Sequence, residues 1–253
     1  LYENYAMIPV ASILKLRDDT DIIKYTLTYY YNIGIKDFFI MLHFPSEELL
    51  VILQEISQDL PNLNLRLLYH DKEGKGYNPA NRDFLKILTD HAQAEGFKWI
   101  VGTDADEFLI LKQHSTIQEL ISEYDCHDII SLLFKWANYY LFDSELSDSF
   151  YKQMTHRTDY LKWTKAIGKF DTTMFYCQGL HAIGNTLPFN VMPPLNQISI
   201  SLDTAFYAHF PFRSKEQFIK KNKLQIEKFE AVGYMNDWRK QEFQKDPLFF
   251  EKV

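Results

Sequence analysis

Residues 11–42 read ASILKLRDDTDIIKYTLTYYYNIGIKDFFIML and decide the fold class. Ala11–Leu16 is a short apolar strand pattern, and Asp37–Leu42 is a continuous apolar run, which is typical of a strand covered on both faces. Between them, Ile22–Ile33 has a helical pattern, with Asp and Thr residues at its start and Gly34 at its end. A strand–helix–strand unit of this length indicates an α/β fold.

The same alternation continues as far as residue 109. It predicts helices over Ser46–Gln58 and about Ala80–Ala94, and strands around Leu63–Leu67 and over Lys98–Thr103. Repeated units of this kind predict a mostly parallel sheet with helices on both faces. Ligands of such sheets bind outside the carboxyl ends of the strands. We therefore expect ligand-binding residues in three loops, Arg17–Asp21, His43–Ser46 and Thr103–Glu107.

The second half of the chain is less regular. Ser115 with Gln118 has capping-box spacing and predicts a short helix to about Ser122. Residues 135–164 are polar and aromatic, and we expect an irregular segment there. The predicted strands are Ile129–Phe134, Met174–Cys177 and Ile198–Leu202.

No internal repeat or low-complexity linker interrupts the chain. We therefore predict a single domain over residues 1–253, with a nucleotide-binding half (about 11–112), an acceptor half (about 113–232) and a C-terminal appendage (233–253).

Composition excludes several classes of protein. The 253 residues carry a net charge of −7, which is unlike the basic face that nucleic-acid binding needs. Two cysteines, Cys126 and Cys177, do not form a disulfide framework. No apolar run reaches the length of a membrane span, and no signal peptide is visible.

The strongest chemical signal is the acidic segment after the strand at Lys98–Thr103. Asp104 and Asp106 are one residue apart, and Glu107 follows directly. Carboxylates at a strand end can bind one hard cation such as Mn²⁺ or Mg²⁺, which keeps positions open for phosphate oxygens. Three carboxylates pressed between apolar residues repel one another unless a cation neutralises them. A solvated acidic turn is the alternative. A second D-x-D, Asp19-Thr20-Asp21, is interpreted as a helix start.

The segment Trp99–Leu109, WIVGTDADEFL, resembles the metal-binding segment of GT-A glycosyltransferases. The resemblance is greatest to the branch of family 2 and family 92 enzymes with a D-x-D-E-F signature. It implies a GT-A-type, Rossmann-like fold. Further similar stretches follow in the same order: Arg17-Asp18-Asp19, Ile33-Gly34-Ile35 with Phe38-Phe39-Ile40, Lys165-Ala166-Ile167, His181, and His209–Ser214 with Phe218 and Lys221.

Two segments depart from the pattern of this branch. The Asp-Asn-x-Ser-x-Asp segment after the second strand appears here as His43-Phe44-Pro45-Ser46-Glu47-Glu48. A glycine-rich segment near Trp136 is replaced by Ala137-Asn138-Tyr139-Tyr140. The donor sugar, the acceptor and the linkage stereochemistry do not follow from the sequence.

The resemblance implies roles for particular residues. A metal ion would be held by Asp104, Asp106 and His209, with His181 as the alternative histidine. A metal there acts as a Lewis acid on the leaving nucleotide. Residues implied in binding the nucleotide-sugar are Arg17, Asp19, Asp104, Lys165 and Arg213. A helix N-cap is the alternative role for Asp19, and ordinary solvated charge for Lys165 and Arg213.

An inverting transferase needs a carboxylate base for the acceptor hydroxyl. Glu107, Asp143 and Glu145 are the candidates, with Asp148 beside them, and the sequence does not choose among them. An aromatic acceptor platform is a further hypothesis, and a buried core is its alternative. The aromatic residues concerned are Trp136, Tyr139, Tyr140 and Trp163.

These observations predict a metal-dependent hexosyltransferase that moves a sugar from a nucleotide-sugar to a saccharide or lipid-linked saccharide acceptor. A UDP-sugar is the preferred prediction for the donor. The resemblance implies a bacterial, cytoplasmic enzyme of surface polysaccharide or lipooligosaccharide synthesis. Ser214 with Gln217 opens a predicted lysine-rich helix, Lys215–Val232, which is either a solvated face or a contact with the inner membrane surface. Two alternatives stay open: an inactive GT-A-like sugar- or nucleotide-binding protein, and a sugar-phosphate nucleotidyltransferase.

Overall fold

The computed structural model describes residues 8–17, 19–70, 81–125, 128–140, 156–161, 164–170, 175–176, 180, 183–184, 196–211, 213 and 217. Its first part alternates strands and helices: β1 (Val10–Leu16), α1 (Ile23–Asn32), β2 (Asp37–His43), α2 (Glu47–Asp59), β3 (Asn64–His70), α3 (Asn81–Ala94) and β4 (Trp99–Thr103). These strands pair in parallel in the order β3-β2-β1-β4. The predicted α/β class is confirmed.

The apolar runs of the sequence are the core of this sheet. β1 and β2 are buried along nearly their whole length, and Ile13, Phe39 and Trp99 are at most 1% exposed. Their burial removes large apolar areas from water, which is the main driving force for the fold. Helix α2 is capped by Ser46, whose hydroxyl accepts a hydrogen bond from the Leu49 N–H at 3.2 Å.

The second part of the chain extends the sheet on the far side of β4. Its main elements are β5 (Glu107–Leu111), α4 (Ile117–Ser122), β6 (Ser131–Tyr140), β8 (Thr164–Lys169), β11 (Gln197–Ser199) and β12 (Ala205–His209). The order continues β4-β8-β6-β12-β5, and β11 also pairs with β6. β8 is antiparallel to both neighbours, β12 is parallel to β6, and β5 is antiparallel to β12. A separate antiparallel pair joins β9 (Phe175–Tyr176) to β10 (Ile183–Gly184).

Some local predictions for this part are wrong. Residues 135–140 continue strand β6, because β8 pairs with it as far as Lys135 and β12 pairs with residues 136–138. The cap of α4 is Thr116 rather than Ser115, since the side chains of Thr116 and Glu119 each accept the other's backbone N–H. The strand predicted at Ile198–Leu202 lies at Gln197–Ser199.

The described residues form two compact units. The larger contains those of 8–70, 81–138 and 158–209, and the smaller those of 139–157 and 210–217. In the smaller unit, residues 139–140 pair antiparallel with β7 (His156–Arg157), and the Tyr139 and Phe210 rings stack with centroids 5.3 Å apart. The predicted single-domain boundaries stay a prediction. Among the helices described here, none is long and apolar enough to cross a membrane.

Candidate functional site

The acidic segment forms a tight turn between β4 and β5. The Glu107 N–H donates to the Asp104 carbonyl at 3.1 Å. Helix α1 fixes this turn, because the Thr26 hydroxyl donates to the Ala105 carbonyl and the Tyr30 hydroxyl donates to the Glu107 carbonyl at 3.0 Å. The turn therefore lies at the carboxyl end of β4, where the parallel-sheet rule predicts a ligand site.

The three carboxylates differ strongly in exposure. The side chain of Asp104 is 47% exposed, that of Asp106 is 12% exposed, and that of Glu107 is 3% exposed. Glu107 Oε2 is buried and has no hydrogen-bond partner among the described residues. Asp104 thus faces solvent, whereas Glu107 lies inside the protein.

Lys165 on β8 bridges two of these carboxylates. Its ammonium nitrogen is 2.7 Å from Glu107 Oε1 and 3.1 Å from Asp104 Oδ2, and its side chain is 3% exposed. The ammonium also lies 5.5 Å from the centroid of the Trp136 ring. Strand β8 places it there, because β8 pairs with β4 on one edge and with β6 on the other.

The pKa values of the buried pair reflect this setting. Burial first, and then the neighbouring Asp104 charge, raise the pKa of Glu107 to about 7 against the opposing charge of Lys165. Burial alone would lower the pKa of Lys165, but the carboxylates of Asp104 and Glu107 outweigh burial and raise it. The lysine is therefore charged at neutral pH and neutralises part of the acidic cluster.

His209 completes the cluster from β12. It lies opposite Glu107 in the β5–β12 register and beside Asn138 in the β6–β12 register. Its Nε2 is 3.5 Å from Asp106 Oδ1, and its Nδ1 is 2.7 Å from Asn138 Oδ1. The Trp136 ring packs against the imidazole, with centroids 5.1 Å apart.

The predicted metal ligands come together only in part. Asp106 and His209 face each other, and their oxygen and nitrogen atoms are donors that Mn²⁺ or Mg²⁺ accepts. Asp104 is instead bound to Lys165. Within the described part of the chain, no group of three His, Cys, Asp or Glu side chains is arranged to hold a metal ion. Asp106 and His209 thus supply two of the three protein ligands that the sequence predicted.

Arg17 and Asp19 lie at the carboxyl end of β1. The Asp19 side chain accepts from the Arg17 backbone N–H at 3.4 Å, and its carbonyl accepts from the N–H groups of Ile22 and Ile23. The residue at the N-cap of α1 is Ile22, which makes no side-chain cap. Helix capping by the Asp19 carboxylate is therefore not the arrangement seen here.

The other predicted residues are placed as follows. Arg213 belongs to the smaller unit, where its side chain is buried and donates to the Phe210 carbonyl at 3.1 Å. The predicted residues Asp18, Asp143, Glu145, Asp148, Trp163 and His181, and the lysine-rich segment 215–232 apart from Gln217, lie outside the described residues.

A second cluster lies at the carboxyl ends of β2 and β3. The rings of His43 and His70 have centroids 5.6 Å apart. Burial first, and then the charges of Lys15, Arg17 and His70, lower the pKa of His43 to about 4. His43 is therefore neutral at neutral pH.

Three residues of the site were not predicted from the sequence. Thr26 and Tyr30 are four residues apart and lie on one face of α1. Their spacing in the sequence predicts that they share a helix face, but it does not predict which turn that face contacts. Asn138 belongs to the segment that replaces the glycine-rich pattern of the family branch. That replacement is the sequence feature that could have identified it as a site residue.

The chain is similar to proteins of known structure and matches one sequence family. No curated protein sequence matches it significantly. Among solved structures, it is similar to the mannosyltransferase PcManGT from Pyrobaculum calidifontis in complex with GDP-Man and Mn²⁺ (14% identity, TM-score 0.37). The match covers 50% of this chain and 35% of that one. It is also similar to the apo WbbM bifunctional glycosyltransferase (15% identity, TM-score 0.36, 53% and 24% covered). The chain therefore spans about a third or less of either structure.

The family comparison covers most of the chain. The sequence model of glycosyltransferase family 92 matches residues 18–246. This range contains the acidic turn, Lys165 and His209, and it agrees with the branch that the D-x-D-E-F segment predicts. The predicted family is thereby confirmed: the chain belongs to glycosyltransferase family 92.

Proposed function

We propose that the chain is a metal-dependent glycosyltransferase that moves a sugar from a nucleotide-sugar to a saccharide or lipid-linked saccharide. The observation that carries the proposal is the pair of Asp106 Oδ1 and His209 Nε2, 3.5 Å apart at the carboxyl end of β4. A carboxylate oxygen and an imidazole nitrogen this close together are both atoms that one divalent cation can bind.

Asp106 and His209 would hold the metal ion, and Asp104 lies beside them. A divalent ion bound there would stabilise the negative charge of the departing nucleotide diphosphate. The buried Lys165 ammonium offsets the charges of Asp104 and Glu107. It thereby reduces the repulsion between these carboxylates and the phosphate groups of the donor.

The transfer breaks the bond between the anomeric carbon and the phosphate oxygen and forms one from that carbon to the acceptor oxygen. The acceptor hydroxyl gives its proton to a carboxylate base. Glu107 is buried and paired with Lys165, which favours a positioning role for it rather than the role of the carboxylate base. Asp143 and Glu145 remain the candidates for proton removal.

Trp136 is the best-supported part of an acceptor or donor-sugar platform. Its partly exposed ring packs against His209 and lies under the Lys165 ammonium, so it borders the acidic cluster. Flat aromatic faces stack on the apolar C–H surface of sugars. A UDP-sugar donor, a role in surface polysaccharide or lipooligosaccharide synthesis, and a cytoplasmic enzyme that contacts the inner membrane surface are the finer parts of the proposal. Family membership favours transfer of the sugar over sugar-phosphate nucleotidyl transfer.

Calorimetric titration tests the proposal. UDP, GDP and CMP are titrated with and without Mn²⁺ into the wild type, Asp106→Asn and the matched control Asp59→Asn, whose carboxylate is 63% exposed on α2. We expect one nucleotide to bind only with Mn²⁺, in the wild type and the control but not in Asp106→Asn. Absence of metal-dependent binding to all three nucleotides would overturn the proposal. Binding without turnover of the matching nucleotide-sugars would favour the inactive alternative.

A further inference from the structure

We propose that Asn138 is a positioning residue that holds His209 in the Nδ1–H tautomer and thereby turns the Nε2 lone pair toward Asp106. The inference rests on the proposed function for its purpose, since the Nε2 atom so presented is the one that would bind the metal. It assigns a role to the segment that departs from the glycine-rich pattern of the family 2 and family 92 branch.

The geometry around the imidazole carries this inference. Asn138 Oδ1 lies 2.7 Å from His209 Nδ1, and an amide oxygen only accepts hydrogen bonds. With the carboxamide oxygen toward the ring, Nδ1 is the nitrogen that carries the proton. In the neutral ring Nε2 then has no proton, and its lone pair faces Asp106 Oδ1 at 3.5 Å. Two acceptor atoms that face each other in this way repel unless a cation lies between them.

The strands hold the two partners in place. Asn138 and His209 are direct register partners on the parallel strands β6 and β12. The Asn138 backbone N–H donates to the Thr158 hydroxyl at 3.2 Å, and the Thr158 N–H donates to the Asn138 carbonyl at 3.0 Å. The carboxamide thus extends from a backbone that is bonded on both sides. Hydrogen bonds of this kind to a metal-binding histidine fix its tautomer, and their loss lowers metal affinity by about 10- to 100-fold.

The tautomer is measured directly in the metal-free protein. Long-range ¹H–¹⁵N correlation spectra of histidine-labelled protein, at a pH where the ring is neutral, report which nitrogen carries the proton, and His209→Gln assigns the signal. We expect the Nδ1–H form in the wild type, in Asn138→Asp, which keeps an acceptor oxygen, and in the control Thr158→Val. We expect Asn138→Ala to lose this preference. An Nε2–H ring in the wild type, or an unchanged tautomer in Asn138→Ala, would overturn the inference.

A double-mutant cycle on Mn²⁺ affinity tests whether Asn138 acts through His209. Asn138→Ala should weaken Mn²⁺ binding by about 10- to 100-fold in the wild-type background and by less than about twofold in the His209→Ala background. An equal loss in both backgrounds would overturn action through His209. If the wild type binds no Mn²⁺, the metal site of the proposed function fails, and the tautomer spectrum still decides the role of Asn138.

Discussion

Lys165 and Glu107 form a buried ion pair, with 2.7 Å between the ammonium nitrogen and Oε1 and with each side chain 3% exposed. They are 58 positions apart in sequence and come from strands β8 and β5, which are not neighbours in the sheet. The pair therefore depends on the complete sheet order. It also sets the charge of the acidic cluster, because the same ammonium lies 3.1 Å from Asp104.

Loss of the Lys165 charge should destabilise the protein. Lys165→Met keeps a long apolar side chain but leaves Glu107 buried without its cation, and such a loss typically costs about 3–5 kcal/mol. The free energy of unfolding is measured by denaturant titration at about pH 9, because Glu107 has a pKa of about 7 even beside Lys165 and would take up a proton near neutral pH in the variant. Lys86→Met, which removes an exposed lysine paired with Asp90 on α3, is the control and should change stability by less than about 1 kcal/mol.

The double variant Lys165→Met with Glu107→Gln should regain part of the lost stability, because it removes the uncompensated charge. Equal stability of Lys165→Met and Lys86→Met would show that the pair is not an essential part of the folded cluster.

Tyr30→Phe should loosen the acidic turn. The Tyr30 hydroxyl donates to the Glu107 carbonyl at 3.0 Å and accepts from the Leu109 N–H at 3.2 Å. The variant leaves two buried backbone groups without this partner, which costs about 1–3 kcal/mol. Thermal and denaturant unfolding measure the loss. The neighbouring Tyr31→Phe removes an exposed bond to the Pro61 carbonyl and serves as the control, so similar losses in both variants would contradict the assigned role.

The sequence predicted the first part of the fold well and the site only in part, for a physical reason. Elements such as α2 and β2 follow from local periodicity and, for α2, from the Ser46 cap, which nearby residues determine. Lys165 lies in a strand that the sequence did not predict, because β8 is set by pairing with β4 and β6. The contact between Asn138 and His209 likewise depends on a register between strands 71 residues apart. Long-range pairings of this kind leave no local periodic signal.

Acid should destabilise the protein through His43. Its pKa is lowered from 6.5 to about 4 in the folded state, by burial first and then by Lys15, Arg17 and His70. Below pH 6.5 the unfolded chain therefore binds a proton at this site that the folded protein does not accept until about pH 4. Stability from His43 is complete above about pH 6.5 and falls as the pH decreases toward 4.

His43→Gln removes this titration. Unfolding free energies of the wild type and the variant, measured at about pH 7.5 and about pH 5, should show a smaller acid-induced loss in His43→Gln. The exposed His91→Gln on α3 is the control and should keep the wild-type loss. An unchanged loss in His43→Gln would contradict the direction of the shift.

Metal removal should distinguish the two aspartates of the D-x-D segment. Asp106 faces His209, whereas Asp104 is held by Lys165 and is 47% exposed. We therefore expect a chelator to weaken nucleotide binding by the wild type at least about tenfold, and to have no further effect on Asp106→Asn, which has already lost a ligand. Asp104→Asn should bind more weakly than the wild type and still respond to the chelator, since Asp106 and His209 remain. Calorimetry with and without EDTA measures both effects. A chelator response in Asp106→Asn as large as in the wild type would place the metal away from Asp106, and loss of the response in Asp104→Asn alone would transfer the ligand role to Asp104.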